Sequence, residues 1–167
     1  MPLPRLIAAK LYAVYMEPHN FEAIARPQYC ATTAVGAVNR ALAAELSKAA
    51  AAELTRTRPG TLRPGGPGTA PAARGINADD IYADADEAFA ALATLLGHDA
   101  ADRRGAAPEW FFGAARPGLL DAAVFAYTHL ILAAPLHSTE AALGRSVRRH
   151  ANLVAHEKRV RQFCGWD

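Results

Sequence analysis

The chain is poor in cysteine, in β-branched residues and in long apolar runs, and each shortage excludes something. Two cysteines among 167 residues, Cys30 and Cys164, make neither a disulfide framework nor a metal-binding motif. Both are expected as free thiols in a reducing compartment, with Cys30 as a small packing residue. Few β-branched residues speak against a sheet. The longest apolar run, from Ala122 to Leu136, is shorter than the ~20 residues a membrane-crossing helix needs, and it contains His129 and Pro135. Any membrane association is therefore expected to be peripheral or through a partner. The opening "MPLPRLIAAKLYAVY" is interrupted by Lys10, which is unlike a secretory signal. A formal charge of +2 is too small to imply nucleic-acid binding.

Chemical motifs are also missing. There is no glycine-rich phosphate loop, no Gly-x-Ser-x-Gly and no paired-cysteine motif. The six histidines, His19, His98, His129, His137, His150 and His156, show no ligand spacing on one helix. The expectation is no catalytic residue, no cofactor-binding residue, no metal site and no cofactor. His129 reads as a hydrogen-bonded core histidine.

What is there is helix-forming. Just over half the residues are hydrophobic, many of them alanine, which favours helix but buries little area. The chain reads as all-α. Leu6 to Met16 carries Leu6, Ile7, Leu11, Val14 and Tyr15 at helical spacing. "EPHN" breaks it, with Asn20 as a start signal, and "FEAIARPQY" is a short helix stopping around Pro27. Thr32 or Thr33 caps a helix to about Leu54, with Val35, Val38, Leu42, Leu46 and Ala49 on its inward face. Residues 55–75 are rich in Pro and Gly, and arginine (Arg56, Arg58, Arg63, Arg74) is their only charged residue type. Such a segment cannot recover its ordering entropy by burial, so a flexible loop is expected. Asn77 caps the next helix, Ala78 to Leu96, with Ile81, Ala85, Phe89, Leu92 and Leu96 as its stripe and Gly97 as its end. An irregular connector over 98–117 contains Trp110, Phe111 and Phe112. The last helix is predicted over Glu140 to Phe163, with a kink near Gly144 to Ser146. By composition the chain divides into 1–54, a linker 55–77, and 78–167.

"RPGLLDAAVFAYTHLILAAP", residues 116–135, is apolar on nearly every side. A helix of that kind too short to span a bilayer is expected at the centre of a bundle, here over 118–133. Gly118 is its N-cap and Asp121 its third residue, from which a carboxylate reaches back to the cap N–H and meets the positive end of the helix dipole. On that local argument Asp121→Ala costs about 1 kcal/mol.

Charge is unevenly spread. Residues 78–109 hold eight acids against Arg103 and Arg104, while residues 145–167 hold six cations against Glu157 and Asp167. The two faces either attract each other as solvated surfaces, or the basic end docks on an acidic partner or lipid headgroups. Arg145, Arg148, Arg149, Lys158 and Arg159 are the candidate partner interface.

The half capping box at Gly118 and Asp121 resembles the C-terminal helical domain of glutathione transferases, where Ser or Thr stands in place of Gly118. The chain more closely resembles the metaxins, receptor subunits of the mitochondrial outer-membrane sorting and assembly machinery. "PGLLDAAVFAYTHLILAAPL" is similar to their core-helix pattern. "RRHANLVAHEKRVRQFCGWD" is similar to the helix that follows, and "LYAVYMEPHNFEAIARPQY" to the entry into the helical domain. The resemblance implies a glutathione-transferase C-terminal-domain-like bundle with a long disordered loop. It implies a non-enzymatic, peripheral subunit on the cytosolic face of the mitochondrial outer membrane. Its partners would be the barrel subunit, a second metaxin-like subunit and β-barrel precursors, with peripheral membrane contact and no nucleic acid. Relatives place a thioredoxin-like half before the helical one, and no such half is recognisable here. The alternatives are the helical half of a glutathione-transferase-like enzyme, or a soluble helical adaptor.

Overall fold

Alanine-rich segments at helical spacing fold as helices throughout. A computed structural model describes residues 2–57, 76–101, 110–133 and 140–166. Among these residues there are seven α-helices and no β-strand: α1 (Leu3–Tyr15), α2 (Pro18–Asn20), α3 (Gly36–Thr57), α4 (Ala78–Ala101), α5 (Leu119–Ala133), α6 (Arg145–Arg148) and α7 (Ala151–Cys164). Wider π-type turns follow α2 over Phe21–Cys30 and precede α6 over Glu140–Gly144, and a 3-10 turn spans Phe111–Gly113. The chain forms two compact units. One holds α1 to Leu6, α4 from Asp84, and α5, α6 and α7; the other holds α1 from Ile7, α2, α3 and α4 to Ala83. The boundary between them passes inside α1 and α4.

In the unit that contains α2 and α3, small residues do much of the packing. α1 starts at Leu3, before the expected Leu6, because Pro4 in a first turn needs no N–H partner. Its buried residues are mostly alanines, Ala8, Ala9 and Ala13, with Leu6 and Val14, while Ile7, expected inside, is exposed. Asn20 is not a cap. It is fully buried, and its Nδ2 donates to the Ala13 carbonyl at 3.0 Å, satisfying an acceptor in the last turns of α1. The helix expected to stop near Pro27 continues to Cys30. Pro27 lacks an N–H and crowds the carbonyl four residues back, and wider turns accommodate both effects. Cys30 is buried and Cys164 exposed.

Thr33 organises the entry to α3. Its Oγ1 accepts the Val35 N–H at 3.1 Å, and its backbone exchanges hydrogen bonds with the Asn39 amide. The helix runs past Leu54 to Thr57, where the Thr55 and Thr57 hydroxyls donate back to the Ala51 and Glu53 carbonyls. Its expected inward face is turned outward: Val35, Val38 and Leu42 are exposed, and Ala50 and Leu54 are buried instead. A helix built mainly of alanine has little apolar asymmetry, so its neighbours decide which side is covered. Beyond Thr57, the flexible-loop expectation falls outside the described residues, as does the 135–139 loop.

In α4, Asn77 Oδ1 accepts the Asp79 N–H at 3.2 Å, and Ile81, Ala85, Phe89, Leu92 and Leu96 are all buried. Gly97 does not end the helix, which reaches Ala101. Beside it, Asn152 Nδ2 donates to the Ala93 carbonyl at 2.7 Å. A methyl at Gly97 would meet Asn152 Nδ2 at 3.8 Å, an ordinary contact. Gly97→Ala is therefore expected to raise stability by about 0.5–1 kcal/mol through reduced backbone entropy of the unfolded chain. A melting temperature equal to or below the parent's would show that the interface cannot take a methyl group.

Helix α5 is not wrapped on all sides. Asp121, Val124, Phe125, Thr128 and Ile131 are buried, Tyr127 is half-buried, and Leu119, Ala122, Ala126 and Ala133 are exposed. Alanine counts as apolar in a sequence pattern yet gains little from burial, so the outward side carries it. The predicted last helix restarts at Arg145 after the π-type turn Glu140–Gly144, where a kink was expected, and it breaks again at Arg149 and His150, with His150 at φ −107°, ψ 87°. α7 ends at Gly165, φ +68°, where the Gly165 N–H donates to Gln162 O at 3.1 Å and the Trp166 N–H to Arg161 O at 3.0 Å. This turn brings the Trp166 ring to 5.7 Å from Phe125 and 6.5 Å from His129. Gly165→Ala is expected to cost about 1 kcal/mol from the left-handed backbone. A red shift in tryptophan emission would accompany release of Trp166, and an unchanged melt and spectrum would refute the role of the turn.

Candidate functional site

The first turn of α5 carries a group on which three chain segments converge. Asp121 is 1 % exposed. Its Oδ2 accepts the Gly118 N–H at 2.8 Å, the cap bond that a carboxylate at the third helical position can make. Its Oδ1 accepts the Phe111 N–H at 3.1 Å and also bonds His156 Nε2 at 2.8 Å. The carboxylate thus joins the helix start, the aromatic turn and α7. A Cβ at Gly118 would meet Asp121 Oδ2 at 3.7 Å, an ordinary contact, so the cap bond does not depend on glycine there.

His156 is completely buried, with the rings of Phe111 at 5.2 Å and Trp110 at 6.1 Å set edge-on to it. Burial pushes its pKa below the usual histidine value, against the opposing pull of the Asp121 hydrogen bond and charge, with Arg159 lowering it further and Glu157 raising it. The ring is neutral near pH 7. A neutral ring facing a carboxylate must place its proton on Nε2, and Nδ1 then keeps a lone pair with no hydrogen-bond partner among the described residues. An Asp–His pair is the machinery of proton relay, but this ring has no exposed surface through which a substrate could reach it. Its work here is to hold α7 against the start of α5.

A second pair lies further along the same two helices. His129 Nδ1 and Glu157 Oε1 are 2.8 Å apart. His129 stacks on Phe125 with centroids 5.0 Å apart and planes 19° apart. It is hydrogen-bonded, as its sequence position suggested, but only half-buried, while Glu157 is buried.

Of the five basic residues, Arg145 and Arg148 lie on α6, Arg149 at the break that follows it, and Lys158 and Arg159 on α7. Arg145 and Arg148 are exposed on α6. Arg149 reaches Asp86 of α4 at 2.7 Å, and Ser146 donates to the same carboxylate oxygen. Lys158 is exposed on α7, but Arg159 is half-buried. The acidic and basic segments therefore meet at Asp86, and Arg5 engages the acidic helix through Glu87. No group of three or more metal-binding side chains occurs among the described residues.

Sequence reasoning placed Gly118 and Asp121 together because they are three residues apart. It did not connect Asp121 to His156, 35 residues away on another helix, and no local pattern marks that pairing. Nor did it single out Phe112, which adopts φ 61°, ψ 20° and stands 66 % exposed.

Residues 85–160 match the family model described as glutathione S-transferase, C-terminal domain. No curated protein matches the chain. The matched region covers most of α4, all of α5 and α6, and α7 to Val160, so it contains Asp121 and His156. The fold is an all-α arrangement containing a glutathione-transferase C-terminal-like domain.

Proposed function

We propose that this chain is a non-enzymatic helical subunit of the mitochondrial outer-membrane sorting and assembly machinery. In this reading it docks from the cytosolic side on the barrel subunit, beside a second metaxin-like subunit, and helps receive β-barrel precursors. The observation that carries the reading is the buried Asp121–His156 hydrogen bond, which ties α7 to the start of α5 within a glutathione-transferase C-terminal-like domain. Their polar chemistry joins helices instead of facing a cleft, which suits a docking body. The metaxin-like sequence of residues 117–136 and 148–167 supports the choice of machinery. No helix among the described residues is long and apolar enough to cross a membrane, which is compatible with a peripheral location.

Arg145, Arg148 and Lys158 are the exposed cations through which docking would begin, steering the chain toward an acidic surface. The test is recovery of the barrel subunit from detergent-solubilised mitochondria on the immobilised chain at low salt. The parent chain is expected to recover it, and reversal of Arg145, Arg148 and Lys158 to Glu is expected to reduce recovery. Recovery unaffected by the reversal would assign these cations to a solvated face. No recovery by the parent would overturn the proposal.

The match over residues 85–160 equally favours a second reading, the helical half of a glutathione-transferase-like enzyme. In those enzymes the thiol chemistry resides in the thioredoxin-like half. Retention on glutathione resin by the product of the full transcript, with conjugation of an electrophile, would decide for this reading.

A further inference from the structure

We propose that Phe112 and Leu119, with Arg116 between them, form a docking tip that enters the headgroup region of an anionic lipid surface. Each apolar residue directly follows one whose N–H is held by Asp121: Phe111 at 3.1 Å and Gly118 at 2.8 Å. One buried carboxylate thus fixes both points from which the tip projects. Phe112 occupies the left-handed region at φ 61°, which is costly for an aromatic residue, and Gly113 beside it is also at φ 61°. Such a conformation persists only where the surroundings impose it. Here Trp110 and Phe111 are buried and hold the turn, so Phe112 is directed outward and cannot fold back.

The two side chains stand clear of the protein, Leu119 at 92 % exposure and Phe112 at 66 %. Arg116 is exposed and is the only charged residue from Trp110 to Leu120, with no ion pair among the described residues. Protruding apolar groups that flank an exposed cation along the chain complement the two layers of an anionic membrane interface. The apolar groups enter the acyl boundary while the guanidinium remains among the headgroups. A fluid interface accepts protruding groups of this kind, whereas a protein pocket would have to match their shape. This contact is independent of the barrel subunit, so it stands or falls separately from the assembly reading.

The experiment is co-sedimentation of the full chain with phosphatidylcholine vesicles, with and without phosphatidylserine. The parent is expected to bind the anionic vesicles and to be released by salt. Phe112→Gly and Leu119→Ser are each expected to lower partitioning about tenfold or more, because each removes a buried apolar side chain from the bound state. Phe112→Gly should melt no lower than the parent, since glycine relieves the left-handed strain, so lost binding cannot be ascribed to unfolding. Arg116→Glu should weaken binding to anionic vesicles alone, and Val38→Ser, on another exposed apolar position, should bind as the parent does. The proposal is overturned if the parent does not bind anionic vesicles, or if Phe112→Gly and Leu119→Ser bind as tightly as the parent. Loss of barrel-subunit recovery by these variants with unchanged vesicle binding would likewise overturn it, in favour of a protein pocket.

Discussion

Asp121→Ala is expected to destabilise the chain by about 3 kcal/mol, roughly three times the capping effect alone. The carboxylate accepts from the Gly118 N–H, the Phe111 N–H and His156 Nε2, and alanine leaves all three without a partner in a buried site. An unsatisfied buried donor costs its desolvation penalty, and breaking a buried charged group's contacts costs more than an exposed cap does. For a chain of this length the melting temperature should fall by roughly 6–12 °C. Asp121→Asn is the sharper variant, since one amide oxygen cannot serve all three donors and the NH2 group must face one of them. A loss of only about 1 kcal/mol in Asp121→Ala would mean that the cap bond carries all of the effect. The contacts to Phe111 and His156 would then contribute nothing.

The second large effect is on pH dependence. His156 has its pKa pushed below the ordinary value of about 6.5, first by burial. In the unfolded chain the ring takes up a proton as the pH falls through about 6.5, while in the folded chain it resists. The unfolded state then binds more protons, so this contribution to stability is present above that pH. It is lost as the pH falls, until the folded ring titrates as well. One such group gives a slope approaching about 1.4 kcal/mol per pH unit within that window. Melting temperatures measured between pH 7.5 and pH 5 should show the decline in the parent. In His156→Gln, which cannot titrate but keeps an amide able to donate to Asp121, the slope should be smaller. Parallel profiles would show that His156 is not the group responsible.

These two effects lie where the sequence could be read only in part. The Asp121 cap was legible because three residues of helix determine its geometry. The stripe of α4 was legible for the same reason, since large apolar residues at every third or fourth position leave one side to bury. The outward turn of Val35, Val38 and Leu42 was not legible, because in a helix mostly of alanine a few tenths of a turn separate the covered side from the exposed one. The restart at Arg145 was legible near Gly144, but the further break at His150 was not, and the end of α4 was misplaced at Gly97. Beside Gly97 a contact from elsewhere in the fold, Asn152 on Ala93, accompanies the continued helix, and such contacts override local preference.

The helical character of this protein, the course of most helices and the closing of the α5 start by Asp121 were all readable from the order of residues. Each follows from side chains within a turn or two of one another. Packing settled the rest: Asp121 also holds Phe111 and His156, Phe112 and Leu119 project, and α5 shows its alanines to solvent. Those outcomes depend on which helices meet, and a buried donor seeks its acceptor across space with no record of the distance along the chain.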